Sequence, residues 1–298
     1  MNSLRALLQR SELIVAPGAY DCITARLIAQ GGFPAVYMTG AGTAAAAGFP
    51  DYGLVTMTEM VENARRIAAV VNVPVIADAD TGYGNELNVT RTIREFERAG
   101  VAAVHLEDQE FPKRCGHLDD KRIIDREAFL SKIRAAAAAR RTPEFVIIAR
   151  TDARAVVDLD EAVSRANGAL EAGADLAFVE APQTLDEIAA IPKRVRGPCL
   201  LNWIAGGKTP LVDLDTVAQL GYRLAIAPGL LLSRAVSACE SALAKLKAEA
   251  VYPVNATEPS VRALFDRFGA REWDAVRERA SESSSRVLDA DLRGRRRR

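Results

Sequence analysis

Eight short apolar runs, LIVAPGAY, PAVYMTG, VPVIADAD, VAAVHLED, EFVIIARTD, DLAFVEAP, PCLLNWI and YRLAIAP, recur along the chain at intervals of about 20 to 40 residues. Each has Gly or Pro before it or a polar cluster after it, and the intervals hold helical patterns such as MTEMVENARRIAAVV, NVTRTIREFERAG, REAFLSKIRAAAAARR and DEAVSRANGALEAGA. In these patterns the apolar residues fall near i, i+3, i+4 and i+7. Near-continuous apolar strands alternating with amphipathic helices predict a parallel sheet sheathed by helices. Eight such units in about 240 residues match the size of a (β/α)8 TIM barrel, an α/β fold. The rival, a doubly wound open sheet, would carry GxGxxG after its first strand, whereas APGAYD offers one glycine. One barrel domain over residues 1–298 is therefore expected. After the eighth strand, GLLLSRAVSACESALAKLKAEA reads as the closing helix, and from about residue 250 two more helical segments follow, TEPSVRALFDRFG and REWDAVRERASESSSRVLDADL. A barrel needs neither; extra C-terminal helices commonly pack on a neighbouring subunit or cover a barrel end, so a homo-oligomer is expected.

The 39 basic and 39 acidic residues cancel, so overall charge asks for neither nucleic acid nor an acidic membrane surface, and the tail RGRRRR reads as a solvated end. No apolar run reaches the roughly 18 residues of a membrane span, and MNSLRALLQRSELIVAPGAY lacks the long apolar region of a signal peptide. Four cysteines, Cys22, Cys115, Cys199 and Cys239, show no CxxC spacing, and two histidines are too few for a finger-type zinc site. A cytoplasmic protein acting on small molecules is the expectation.

In such a barrel the active site is built from the C-terminal ends of the strands and the loops after them. Those ends are unusually polar here: Tyr37 and Thr39, Asp78 and Asp80, His105, Glu107 and Asp108, Arg150 and Asp152, Glu180, and Asn202. Ionisable side chains are seldom buried unless paired or metal-bound, so one shared site is the economical reading. Asp78 and Asp80 lie two apart on a strand and should point to one side, with Glu107 level with them on the next strand. Three carboxylates that close would repel unless a hard divalent cation sat among them, and Mg2+ is the expected ion, with Mn2+ as a substitute. The competing reading has these acids capping helices or pairing with arginines. Asp152 is expected to lie off this cluster.

The stretch EDQEFPKRCGH places Cys115 between Lys-Arg and Gly-His. Neighbouring cations stabilise a thiolate, which makes the thiol a better donor but leaves less of it protonated. The other three cysteines sit in apolar contexts and read as small hydrophobes. From Gln109 to Asp125 the connection runs 17 residues, longer than the usual βα loop, and is read as a gate. Its closure would bring Lys113, Arg114 and His117 toward substrate carboxylates and deliver Cys115.

YMTGAG, PDYG, DADTGYG, HLEDQ, KRCGH, ARTDA, VEAP and LNW fall in an order that resembles the isocitrate lyase and phosphoenolpyruvate mutase superfamily over about residues 10 to 250. Within it the chain is similar to the short lyases of the 2-methylisocitrate and 2,3-dimethylmalate type, and KRCGH is the specific motif. The resemblance implies that Asp78 and Asp80 are the Mg2+ sites, with Glu107 assisting through water, and that Cys115 is the general acid. It implies that Thr39, Gly40 and Ala41 hold the 2-oxo-acid portion of the substrate, that Cys115, Gly116 and His117 reach it from the gate, and that Arg150, Glu180 and Asn202 make further contacts. Tyr37 and Asp51 fall near the site, and Arg234 matches with an altered spacing from the preceding proline. Tyr37 near Arg150 is the expected base, ahead of Glu107 acting through water, with His117 and Arg150 in the catalytic group. The implied reaction is cleavage of a substituted malate, a di- or tricarboxylate, to a 2-oxo acid such as pyruvate plus a carboxylate, by a homotetramer. The alternatives are oxaloacetate hydrolysis or decarboxylation and phosphonate rearrangement or hydrolysis. Ile204 stands where a hydroxyl residue would help bind a third carboxylate, and Ala153 where oxaloacetate hydrolysis is associated with a serine.

Overall fold

Every one of the eight apolar runs forms a strand in the computed structural model, which describes residues 3–254 and 257–280. The strands are β1 (Ile14–Ala19), β2 (Val36–Met38), β3 (Val75–Asp78), β4 (Ala103–Glu107), β5 (Val146–Thr151), β6 (Leu176–Val179), β7 (Cys199–Asn202) and β8 (Leu224–Ala227). They pair in parallel in chain order, and β8 returns to β1, closing the barrel. The helices are α1 (Leu4–Leu8), α2 (Cys22–Gln30), α3 (Gly40–Ala46), α4 (Met57–Val70), α5 (Glu86–Arg98), α6 (Arg126–Ala139), α7 (Ala153–Val156), α8 (Leu159–Glu171), α9 (Leu185–Arg194), α10 (Leu214–Gln219), α11 (Leu230–Glu249) and α12 (Val261–Arg267). Their starts are set locally: Asp21, Thr56, Thr184 and Asp213 each accept a hydrogen bond from the N3 backbone amide of the helix they open.

Strand pleating sorts the side chains into two cores. Ile76, Ile148, Phe178, Leu200 and Ile226 fill the barrel interior, while their neighbours Ala77, Ile147, Ala177 and Leu201 face the helices. Burying each large interior side chain stabilises the fold by roughly 1.5–3 kcal/mol. The inward parity continues to the strand ends, where it carries Tyr37, Asp78, His105, Glu107, Arg150 and Asn202 into the mouth of the barrel. Register then sets their neighbours: Asp78 pairs with His105 and Glu107 with Arg150.

Asp80 reaches the mouth by another route than strand alternation. β3 ends at Asp78, and Asp80 sits in the left-handed region at φ 46°. For a non-glycine residue that conformation costs on the order of 1–3 kcal/mol and persists where the surroundings fix it.

The chain divides into two compact units, Met1–Cys239 and Glu240–Arg298, and α11 begins in the first and ends in the second. Of the two C-terminal segments, the first forms α12, and the second is helical from 270 to 280, after which the chain lies outside the described residues, as does the RGRRRR tail. Among the described residues no helix is long and apolar enough to cross a membrane.

Candidate active site

The inward polar side chains converge on a cavity of about 190 Å3 at the C-terminal end of the barrel. That is below the ~300–1,000 Å3 of drug-sized pockets and suits a small metabolite. Tyr37, Thr39, Ala41, Asp51 and Asp78 line one side. Cys115, Gly116 and His117 cover it from the gate, and Arg150, Glu180 and Asn202 complete the polar lining. The remaining wall is apolar, formed by Phe178, Ile204, Ile226, Pro228 and Leu232.

Asp78 is the best-held acid. Its oxygens accept from the Gly40 amide at 3.2 Å and the Asp80 amide at 2.9 Å, and His105 Nε2 lies 3.3 Å away. Burial opposes its ionisation, but His105, and beyond it Lys113 and Arg150, hold its pKa well below the usual carboxylate range. Asp80 goes the other way: burial raises its pKa, Lys113 at 2.8 Å opposes, and Asp78 reinforces the rise. Glu107 is raised well above its usual value, again chiefly by burial. Arg150 Nε is 3.2 Å from Oε2 as an ion pair, and neither oxygen has a hydrogen-bond partner among the described residues. Neither Asp80 nor Glu107 lines the cavity.

Lys113, 3% exposed, lies between Asp80 and Asp51, the latter at 2.5 Å. Its ammonium is the positive charge at the spot where the sequence places a metal ion. Among the described residues no three His, Cys, Asp or Glu side chains are disposed to chelate one ion. Two hard carboxylates completed by waters and substrate oxygens remain a normal Mg2+ donor set, and the two Glu107 oxygens without hydrogen bonds mark a place short of donors.

Arg150 is fixed by Asp152, the acid the sequence reading placed off the cluster: Nε donates to Asp152 at 2.9 Å and a terminal nitrogen at 3.3 Å. Asp152 is thus part of the buried charge cluster, because the turn after β5 brings it back under the guanidinium. Glu180 lies 3.7 Å from Arg150 and accepts from His117 at 2.9 Å. Lys208 donates its backbone N–H to His117 Nδ1 at 3.0 Å, which assigns the ring proton to Nε2, facing Glu180. The Asn202 amide also donates to Glu180, at 3.2 and 3.3 Å, leaving Asn202 Oδ1 without a partner among the described residues.

The loop read as a gate is packed over the cavity in this structure. Gln109 bridges Ile123 and Glu110 donates to Arg122 at 2.9 Å, zipping the two limbs together, and the Gln109 side chain holds the backbone of Arg114 from both ends. Neither flanking cation serves Cys115. Lys113 is committed to acids, and Arg114 turns outward, 5.9 Å over the Tyr52 ring. Burial consequently pushes the Cys115 thiol above its usual pKa, against an opposing hydrogen bond from the His117 backbone. KRCGH left the resting state of this thiol open, and burial favours the protonated form.

Tyr37 lies in the same cavity as Arg150 but is bonded elsewhere, and Arg234 differs from the sequence reading. Tyr37 directs its hydroxyl to His105 Nε2 at 2.7 Å and to Asp78 at 3.4 Å, and no hydrogen bond ties it to Arg150. Burial raises its pKa well above the usual phenol value, with Asp78 reinforcing, so Tyr37 rests as a neutral phenol. Arg234 is exposed on α11 and does not line the cavity. Leu232 does, and two residues of helix turn the side chain through about 200°. Of the site residues without a sequence-assigned role, His105 was findable from its inward parity with Glu107.

The phosphoenolpyruvate phosphomutase family model matches residues 4–247. The chain is 49% identical to a 2,3-dimethylmalate lyase from Eubacterium barkeri over 226 residues, 76% of this chain and 78% of that one. It is 43% identical to a 2-methylisocitrate lyase from Aeropyrum pernix over 243 residues, 82% and 78% of the two chains. An oxaloacetate acetylhydrolase solved with the inhibitor 3,3-difluorooxalacetate superposes with a TM-score of 0.90 at 38% identity, covering 94% of this chain and 96% of that one. A phosphonopyruvate hydrolase solved with oxalate and Mg2+ superposes with a TM-score of 0.85 at 33% identity, covering 93% and 97%.

Proposed function

We propose, from the premise that this chain belongs to the phosphoenolpyruvate mutase/isocitrate lyase superfamily, that it is a divalent-metal-dependent lyase cleaving an alkyl-substituted malate to a 2-oxo acid such as pyruvate plus a carboxylate. The observation that carries this reading is Cys115: a half-buried, protonated thiol on the loop that covers a cavity lined by Arg150, His117 and Asn202. Phosphonate chemistry on such a barrel would need no acid there.

Asp78 and Asp80 would hold Mg2+, or Mn2+ in its place, with Glu107 assisting through water. When bound, the ion supplies positive charge against the substrate's hydroxyl and carboxylate oxygens. Arg150, fixed by Asp152, presents its remaining guanidinium donors, and His117 is held against Glu180 at 2.9 Å. The hydroxyl proton is assigned to Tyr37, which takes it as it passes its own phenol proton to His105 Nε2, 2.7 Å away. As that proton leaves, the C2–C3 bond breaks: C2 becomes the carbonyl carbon of the 2-oxo acid, and the bonding pair stays on C3 as an enolate-like dianion. Cys115 gives its proton to C3 and is left as a thiolate, which recovers a proton from solvent when the gate opens.

The apolar wall of Phe178, Ile204, Ile226, Pro228 and Leu232 favours alkyl groups over a third carboxylate, because a carboxylate buried there would have no partner. Likeness to the oxaloacetate acetylhydrolase structure favours a second reading, hydrolysis of oxaloacetate to oxalate and acetate. A panel of dimethylmalate, methylisocitrate, isocitrate, oxaloacetate and phosphonopyruvate, each with Mg2+ and product identification, separates the readings: pyruvate with propionate from dimethylmalate supports the lyase, and turnover of oxaloacetate alone overturns it. We take the protein to be a homo-oligomer, since α11 buries none of its residues and leaves Leu243 66% exposed; a monomeric mass in solution would refute the assembly, and a cytoplasmic location is kept as the reading of the sequence.

A further inference from the structure

Lys121 is a buried cation to which the chemistry above gives no task. It lies on the returning limb of the gate, yet its side chain is 2% exposed. Its ammonium donates to the backbone carbonyl of Gly116 and, at 2.7 Å, to Asp152 Oδ1. Taking an ammonium out of water costs several kcal/mol unless hydrogen bonds and a counter-charge offset it, and lysines otherwise stay at the surface. Both of its contacts therefore matter to what the gate does.

Each contact leads into the site. Asp152 sits on a rigid footing: its backbone N–H donates to Asp108 at 2.8 Å, and Asp108 is itself held by the Thr151 hydroxyl at 2.6 Å and Arg165 at 3.1 Å. The same Asp152 carboxylate receives Arg150 Nε at 2.9 Å. At the other end, Gly116 lies directly on Arg150 and Glu180; a Cβ there would collide with Arg150 and come within 2.6 Å of Glu180 Cγ. The residue beside Cys115 is thus pressed onto Arg150 from one side and tied by Lys121 to the anchor of Arg150 on the other.

We propose that Lys121 is a positioning residue, a latch that ties the Gly116 carbonyl to Asp152 so that seating of Cys115 and orientation of Arg150 occur as one event. It differs from the anchor at Lys113, which engages Asp51 and Asp80 ahead of Cys115, and from His117, which engages Glu180. Lys121 does not touch substrate; it acts through Gly116 and Asp152.

The test needs no substrate. In ligand-free protein, alkylation of each cysteine by iodoacetamide is followed by peptide mass spectrometry, with Cys199, 1% exposed on β7, as the internal reporter of general unfolding. Lys121→Met should speed alkylation of Cys115 by about tenfold or more, since losing a hydrogen bond to a charged group shifts the closed–open balance by at least that factor. Cys199 should stay unreactive, and Lys121→Arg, which keeps charge and donors, should restore most of the protection. Equal Cys115 rates in wild type and Lys121→Met would overturn the latch, and so would a matching rise at Cys199, which would make Lys121 a prop of the barrel only. If Lys121→Met does not fold, Lys121→Gln is read by the same two thiols.

Discussion

Replacing Asp152 by alanine tests the charge network most directly, because the sequence alone ranks this acid as peripheral and the structure makes it the seat of Arg150. Asp152 is fully buried and accepts from Arg150 at 2.9 and 3.3 Å and from Lys121 at 2.7 Å. Those two cations pull its pKa down to about 2 against the cost of burial. Deleting one member of a buried, hydrogen-bonded ion network leaves its partners buried and unpaired, at a cost of about 3–5 kcal/mol. For a domain of this size each kcal/mol moves the thermal midpoint by roughly 2–4 °C, so a fall of about 6–20 °C is expected. Circular dichroism melts at pH 7 measure it. The exposed pair Arg65–Glu62 supplies the control: Glu62→Ala should leave the midpoint almost unmoved.

Turnover should fall as well. Without Asp152, Arg150 is free to turn toward Glu107 at 3.2 Å or Glu180 at 3.7 Å and away from the substrate. A displacement of about 1 Å in such a clamp costs on the order of 10²-fold in rate. Asp152→Asn, which keeps an acceptor oxygen for Arg150, should recover part of both losses. An Asp152→Ala protein that melts within two or three degrees of wild type and turns over normally would refute the network as described.

Cys115→Ser should bind ligand normally but lose about 10²–10⁴-fold in kcat, the usual contribution of a general acid; near-wild-type turnover would remove the acid role. Because the thiol must be protonated to act and burial raises its pKa, kcat should hold through neutrality and decline only at alkaline pH, and the decline should be absent from Cys115→Ser. Exhaustive chelation should abolish turnover, with Mg2+ or Mn2+ restoring it, and calorimetry should show Asp80→Ala losing Mg2+ affinity; full activity after chelation would sink the metal assignment. Ile204→Ser should lower the preference for dimethylmalate over methylisocitrate by about 10–200-fold in kcat/KM, the range available to a small change in an apolar pocket; an unchanged ratio would mean the apolar wall does not select.

Strand spacing made the barrel legible, and strand parity made most of the site legible, because a period of two carries the inward face of the core onto the inward face of the mouth. Tyr37, Asp78, Glu107, Arg150 and Asn202 all arrive by that rule. Asp80 arrives without it, since the turn at φ 46° is set by tertiary fit and not by alternation. The state of Cys115 was illegible for a related reason: KRCGH shows two cations next to the thiol in sequence, but only the folded gate shows Lys113 taken by Asp51 and Asp80 and Arg114 facing out. Lys121 and Asp152 meet across 31 positions of chain, a pairing no local motif announces.

The buried charges show why gate and barrel act together. Among the described residues, every buried Asp, Glu, Lys and Arg belongs to this one region: Asp78, Asp80, Glu107, Asp108, Asp152 and Glu180 against Lys113, Lys121, Arg150 and Arg165. Six acids face four cations, and two of those cations ride on the gate. With the gate away, six buried acids would have only Arg150 and Arg165, a surplus of negative charge that pulls Lys113 and Lys121 inward and seats Cys115 with them. With the gate closed a shortfall of positive charge remains, which an ion held by Asp78 and Asp80 would supply. It falls where burial already raises Asp80 and Glu107. Gate closure and metal binding would then draw on the same surplus, so Mg2+ titrated into Lys121→Met should bind more tightly than in wild type as the ion takes over the missing charge. Weaker binding in that variant would show instead that a seated gate is what shapes the ion's site.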